Sequence, residues 1–156
     1  MATKWSGHGT SIGLLVLRVG AGGFMAVHGW GKVEMVLAGE FAKFGDPIGI
    51  GPQASLVLAA GAEFVCALLV VLGCLTRFAA IPPVVTMAVA AFVVHAPDPW
   101  TMGEGARRFF EKAAESWGSK EPALLFLIAF LTLVFTGGGR FSVDRLLAPR
   151  IRPRRA

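Results

Sequence analysis

Arg18, His28, Glu63 and His95 fall inside long apolar runs of the chain, and Lys32 lies just beyond the first run. A charged side chain in hydrocarbon is expensive, so each of these residues needs a partner or a task. Their types point to proton chemistry. A histidine titrates near neutrality, and a carboxylate in an apolar wall can hold or pass a proton. Lys32 follows His28 by one helical turn, so the two share a face. If the faces bearing His28, Lys32, Glu63 and His95 all turn inward, they line one pocket suited to proton handling or to a quinone headgroup. Arg18 and Glu63, at similar depth on neighbouring runs, are expected to pair. A salt bridge that fixes helix register and a functional ion pair are both open readings of that contact. For either histidine alone, an interfacial side chain with its polar tip in water is the plainer reading. The two histidines with Glu63 bring the pocket reading level with it.

Other chemistries find little support. Two histidines and a glutamate could ligate a metal, but no HxxxH or HxxE spacing is present and no metal site is expected. Gly29-Trp30-Gly31 is too short and wrongly placed for a nucleotide loop. No Ser/His/Asp or Cys/His nucleophile set, haem ligand pair, cluster-binding cysteine set or flavin motif stands out. A redox role would need a partner to supply electrons. Cys66 and Cys74 are separated by roughly 12 Å of helix, too far for a disulfide, and read as apolar filling.

The elements that must position these residues are apolar helices. The chain has 156 residues, 54% hydrophobic and 16% charged, a balance that a soluble domain of this size could not bury. Four apolar runs are read as spans, from about Ser11 to Trp30, Pro52 to Leu75, Phe78 to Ala96 and Pro122 to Gly138. Each is near the ~20 residues that a ~30 Å hydrocarbon core requires. The first run is read as a retained helix, because Arg18 interrupts the apolar stretch that a signal peptide needs. Thr76 and Arg77 form so short a connection that the second and third helices must be antiparallel. Pro82 and Pro83 are expected to kink the third. Trp5, Trp30, Trp100 and Trp117 stand at or beyond span ends, as interfacial aromatics do. Glu104 to Trp117, with Phe109, Phe110, Ala113 and Trp117 at helical spacing among charges, reads as an amphipathic helix on the outer surface. Ser142 reads as the cap of a short helix after the last span. The fold class is therefore all-α, a four-transmembrane-helix bundle with an extra amphipathic helix in the third-to-fourth loop. It comprises a membrane domain over residues 1–147 and a basic cytoplasmic tail over 148–156.

Charge sets the expected orientation. The N-terminus, the 76–77 turn and the tail carry eight basic residues, against six in the two longer loops. Six arginines, Arg140, Arg145, Arg150, Arg152, Arg154 and Arg155, crowd the end of the chain. Both termini are placed in the cytoplasm by this asymmetry. The arginine-rich tail reads as a topology signal and headgroup anchor. Without interleaved aromatics it gives no sign of nucleic-acid recognition.

A family resemblance runs through these residues in order. Leu17-Arg18-Val19 with Gly22, Phe24, His28-Gly29 and Lys32 is similar to the opening signature of the DoxX family of small four-helix membrane proteins. Gly61-Ala62-Glu63, Leu72-Gly73, Thr76-Arg77 and Met87 follow. Glu121-Pro-Ala-Leu-Leu-Phe and Gly137-Gly-Gly-Arg-Phe-Ser-Val-Asp144 complete the match, over about residues 11 to 147. The resemblance implies an integral protein of the bacterial cytoplasmic membrane. It also implies a link to redox systems, since DoxX-like proteins are associated with quinone-reducing thiosulfate oxidation and with superoxide- and thiol-handling enzymes. It carries Arg18, His28, Lys32, Glu63 and Arg77 as family positions, and His95 joins them from depth alone.

Three readings follow. The first is a membrane subunit of a quinone-linked redox system with no covalently bound cofactor. In it Glu63, His28 and Arg18 carry the buried electrostatics and proton transfer, and His28, Lys32 and His95 bind the quinone. The second is a scaffold or assembly factor that holds soluble redox enzymes at the bilayer. The third is a small transporter, whose path through so narrow a bundle needs a homo-oligomer.

Overall fold

The computed structural model describes residues 5–111 and 118–151, and among these every regular element is helical. Helix α1 spans Trp5–Leu37. Helix α2 spans Pro52–Leu72 and α3 spans Thr76–Val94. Helix α4 covers Met102–Phe110, α5 Glu121–Thr136 and α6 Val143–Ile151. The stretches His8–Leu37, Pro52–Leu72 and Thr76–Val94 are long and apolar enough to cross a membrane. Helix α5 is equally apolar but has 16 residues, which cover about 24 Å of a ~30 Å core.

Helices α1, α2, α3 and α5 pack around one core. Met25, Leu56, Val70, Phe130 and Leu133 fill it, with alanines such as Ala26, Ala60, Ala67, Ala80, Ala91 and Ala123 between them. Small residues matter here because lipid removes the hydrophobic drive between helices and leaves close packing to hold them. Many other large side chains point outward. Phe24 is 74% exposed and Phe78 72% exposed, as a lipid-facing surface requires.

Several boundaries differ from expectation. Helix α1 extends past both ends of the Ser11–Trp30 run, so Trp30 lies within it. Its indole donates to Glu34 Oε1 at 2.9 Å and packs on Phe64, ring centroids 5.3 Å apart. Helix α2 stops at Gly73, whose φ of +72° closes the helix in the left-handed region. The connection is therefore Gly73–Leu75, and Thr76 and Arg77 already belong to the first turn of α3. Ala80 separates the helical segments Thr76–Ala79 and Ile81–Val89, and Pro82 and Pro83 stand in the first turn of the second. The Thr86 hydroxyl donates to the Pro82 carbonyl at 3.0 Å.

The loops are pinned at helix ends. Asp46 accepts from Ile50 N, Gly51 N and Ser55 Oγ and so fixes the chain entering α2. The Gly51 amide leads in holding its carboxyl below the usual range. Helix α4 overlaps the start of the segment Glu104 to Trp117 and is capped by Thr101 Oγ1, which accepts from Glu104 N at 3.3 Å. Lys112 to Trp117 lie outside the described residues, as do Lys4 and the tail residues Arg152, Arg154 and Arg155. Ser142 Oγ accepts from Arg145 N at 3.3 Å and caps α6. That helix runs to Ile151 and so crosses the boundary drawn between domain and tail.

Candidate functional site

Two helices approach each other most closely where the charged residues lie. A β-carbon on Gly29 of α1 would fall 2.6 Å from the Glu63 carbonyl carbon and 2.8 Å from Phe64 N. One on Gly22 would fall 2.8 Å from Val71 Cγ2. These glycines, seven residues apart on one helical face, let α1 lie directly on the α2 backbone. Glu63 sits in a wide π-helical turn, Gly61–Cys66, a geometry enriched at functional positions. A second such turn, Ala90–Val94, ends at His95, whose amide donates to the Ala90 carbonyl at 2.8 Å.

Glu63 is 2% exposed, and its carboxylate is met from α1. Lys32 Nζ lies 2.5 Å from Glu63 Oε2, and His28 Nε2 lies 3.8 Å from the same oxygen. The lysine supplies the partner that a buried carboxyl group needs. The Lys32 side chain is 17% exposed and that of His28 66%. The trio thus grades from a sealed carboxylate to an open imidazole.

His28 also faces a cleft of about 560 Å³ between α1, α3 and α5. Phe24, Met25, Met87, Ala123 and Phe126 supply apolar walls, and His95, Met102 and Ser119 join them. His95 is held by Asp98, with Nδ1 2.7 Å from Asp98 Oδ2, which leaves Nε2 as the ring nitrogen free to serve the cleft. The mouth is fastened to the start of α5. Lys120 Nζ donates to the Ala96 carbonyl and stands 5.0 Å from the Trp100 ring centre, and Met102 N donates to Glu121 Oε2 at 2.7 Å. The arrangement can take a flat, mostly apolar molecule with polar groups at its edge, and can exchange protons with it through histidine.

The expected residues are thus brought together in part. His28 and His95 line one cleft, while Lys32 and Glu63 lie behind His28 rather than on the cleft wall. The Arg18–Glu63 pair does not form. With Gly29 against Glu63 and Gly22 against Val71, the antiparallel register carries Arg18 to Gly73, about 15 Å along the helix from the carboxylate. There Arg18, 2% exposed, donates to the Phe141 carbonyl. The nearest acidic group is Asp144, which accepts from Leu75 N at 2.6 Å, Thr76 N at 2.9 Å and Thr76 Oγ1 at 2.7 Å. Leu75 has φ +49°, and these bonds secure the turn that this conformation makes. Gly138 fits the same clamp closely, since a β-carbon on it would lie 2.6 Å from Thr76 Oγ1.

Asp98, Ser119 and Asp144 were not foreseen. Asp98 follows His95 by three residues, a spacing that could have flagged it. Ser119 and Asp144 reach their neighbours only through tertiary packing. Among the described residues no three His, Cys, Asp or Glu side chains group as a metal site, and Cys66 and Cys74 are unpaired thiols.

Helices of spanning length with apolar outer faces, and a lysine–glutamate pair held between two of them, define an integral membrane protein. A family model described as DoxX matches residues 13–96, more than half of the chain, and the protein belongs to the DoxX family. The matched segment contains Arg18, His28, Lys32, Glu63, Arg77 and His95, while the Glu121–Phe126 and Gly137–Asp144 motifs fall beyond it. No curated protein and no solved structure matches the chain.

Proposed function

We propose that this DoxX-family protein is a membrane subunit of a quinone-linked redox system, of the thiol, thiosulfate or oxidative-stress kind. It spans the bacterial cytoplasmic membrane four times, α5 being the shortest span, with both termini cytoplasmic and α4 on the outer surface. The observation that carries the reading is the place of His28, which lines the apolar cleft and stands 3.8 Å from the buried Glu63 carboxylate. The cleft's size, apolar walls and flanking histidines fit a quinone ring. His28 and His95 would hold its polar edge, with Asp98 orienting His95. Bound quinone supplies two-electron, two-proton redox chemistry. Lys32 pairs with Glu63 at 2.5 Å, and the Glu63 carboxyl stands behind His28 on the proton's side of the ring. Arg18 acts away from this site, as an anchor for the C-terminal loop. Electrons come from a soluble redox partner.

The test is solvent extraction of cofactors from gently purified protein, wild type beside His28→Ala and Glu63→Gln. Quinone retained by wild type and depleted in both variants supports the reading. Absence of quinone from all three, with one soluble protein co-purifying throughout, replaces it with a scaffold.

A further inference from the structure

The clamp at the opposite end of the bundle borders a second, open cavity of about 340 Å³. Arg77 and Arg145 line it together with Thr76 and the Gly137–Gly139 loop. Neither arginine makes an ion pair among the described residues. Asp144 also lines the cavity, but both of its oxygens accept from the Leu75–Thr76 turn. Arg18 stands behind the wall, against Gly73 and Ser142, with Nε and Nη1 lacking hydrogen-bond partners among the described residues. Gly137 leaves room for Arg77, whose Nε would lie 3.2 Å from a β-carbon there. Three guanidinium groups thus surround or back a pocket with one acidic group, already engaged. The pocket lies where α2 ends and α3 begins, at the ends of two helices of spanning length, where such helices meet lipid headgroups.

We propose that this cavity binds a phosphate group, carried by an anionic lipid headgroup or free in water. Arginine forks match phosphate oxygens two at a time, and the buried Arg18 raises the local potential without contact. The site is independent of the quinone reading. It is also distinct from general attraction to the arginine-rich tail.

The experiment uses the full chain in neutral detergent. Binding of phosphatidylglycerol is read by native mass spectrometry and binding of inorganic phosphate by calorimetry. Arg77→Gln/Arg145→Gln is expected to weaken binding at least about tenfold, as loss of two charge-assisted contacts should. Arg77→Lys/Arg145→Lys should retain part of it, and Arg154→Gln/Arg155→Gln should match wild type. Loss confined to phosphatidylglycerol assigns a lipid headgroup, and loss of inorganic phosphate binding assigns the soluble ion. Wild-type affinity of the glutamine variant for both probes overturns the site, as does an equal loss in the tail variant. If the double variant aggregates, Arg145→Gln alone carries the test, and unchanged affinity there overturns it.

Discussion

Gly29 lies against the main chain of Glu63 so closely that a β-carbon would stand 2.7 Å from the carbonyl oxygen. That approach puts His28 and Lys32, on either side of Gly29 in sequence, within reach of the same carboxylate. Gly29→Ala should force α1 off α2, at a cost of about 1–3 kcal/mol from overpacking. Gly31→Ala, where nothing lies within 4 Å, is the control. Thermal unfolding in detergent separates them: a drop for Gly29→Ala alone is expected, and equal drops would remove the packing argument.

Lys32→Met leaves the Glu63 carboxylate buried without its cation and should destabilise the protein by about 3–5 kcal/mol. Adding Glu63→Gln should recover much of that loss, because the amide needs no counter-charge. A double-mutant cycle measures the coupling. Additive effects would mean that the 2.5 Å contact does not form in the membrane.

Asp144→Ala removes the acceptor of three hydrogen bonds from Leu75 and Thr76. With charged-group bonds worth about 1.5–3 kcal/mol each and only partly additive, a loss near 3 kcal/mol is expected. Asp144→Asn should lose less. Amide exchange at Leu75 and Thr76 reads the local effect, and unchanged protection there would show that the turn holds itself.

Glu104 binds Arg107 and Arg108, and hydrogen bonds from their side chains, that of Arg107 first, push its carboxyl down from 4.5 to about 2. A folded pKa below the unfolded value means a contribution fully present above 4.5 and lost as pH falls toward 2. Amide protection in α4 should therefore fall through that window, and Glu104→Gln should abolish the pH dependence. High salt should flatten it as well, because the pairs are exposed.

Periodicity and charge made the helices legible before any coordinates, because a lipid-facing helix must be apolar along its whole length. Boundaries were harder to read. Lys32 and Glu34 look like a loop in composition, yet α1 continues through them because Lys32 finds Glu63 and Glu34 finds Trp30. The pairing of Arg18 failed for a related reason. Depth counted from span ends assumes a start point, and α1 begins at Trp5 rather than Ser11. Helix register is set instead by where glycines admit a neighbouring backbone, and Gly22 and Gly29 carry that information only once α2 is known to lie against them. His28 and Lys32 were placed together correctly because their relation is local, one turn apart on one helix.

The acceptor for Arg18 is the carbonyl of Phe141, 123 residues further along the chain. During synthesis the first three helices enter the bilayer before that acceptor exists, so the newborn bundle carries an arginine with its clamp still unmade. Completion of the chain through the glycine loop closes the far end and supplies that acceptor. A chain stalled before Phe141 therefore lacks the carbonyl that receives this guanidinium.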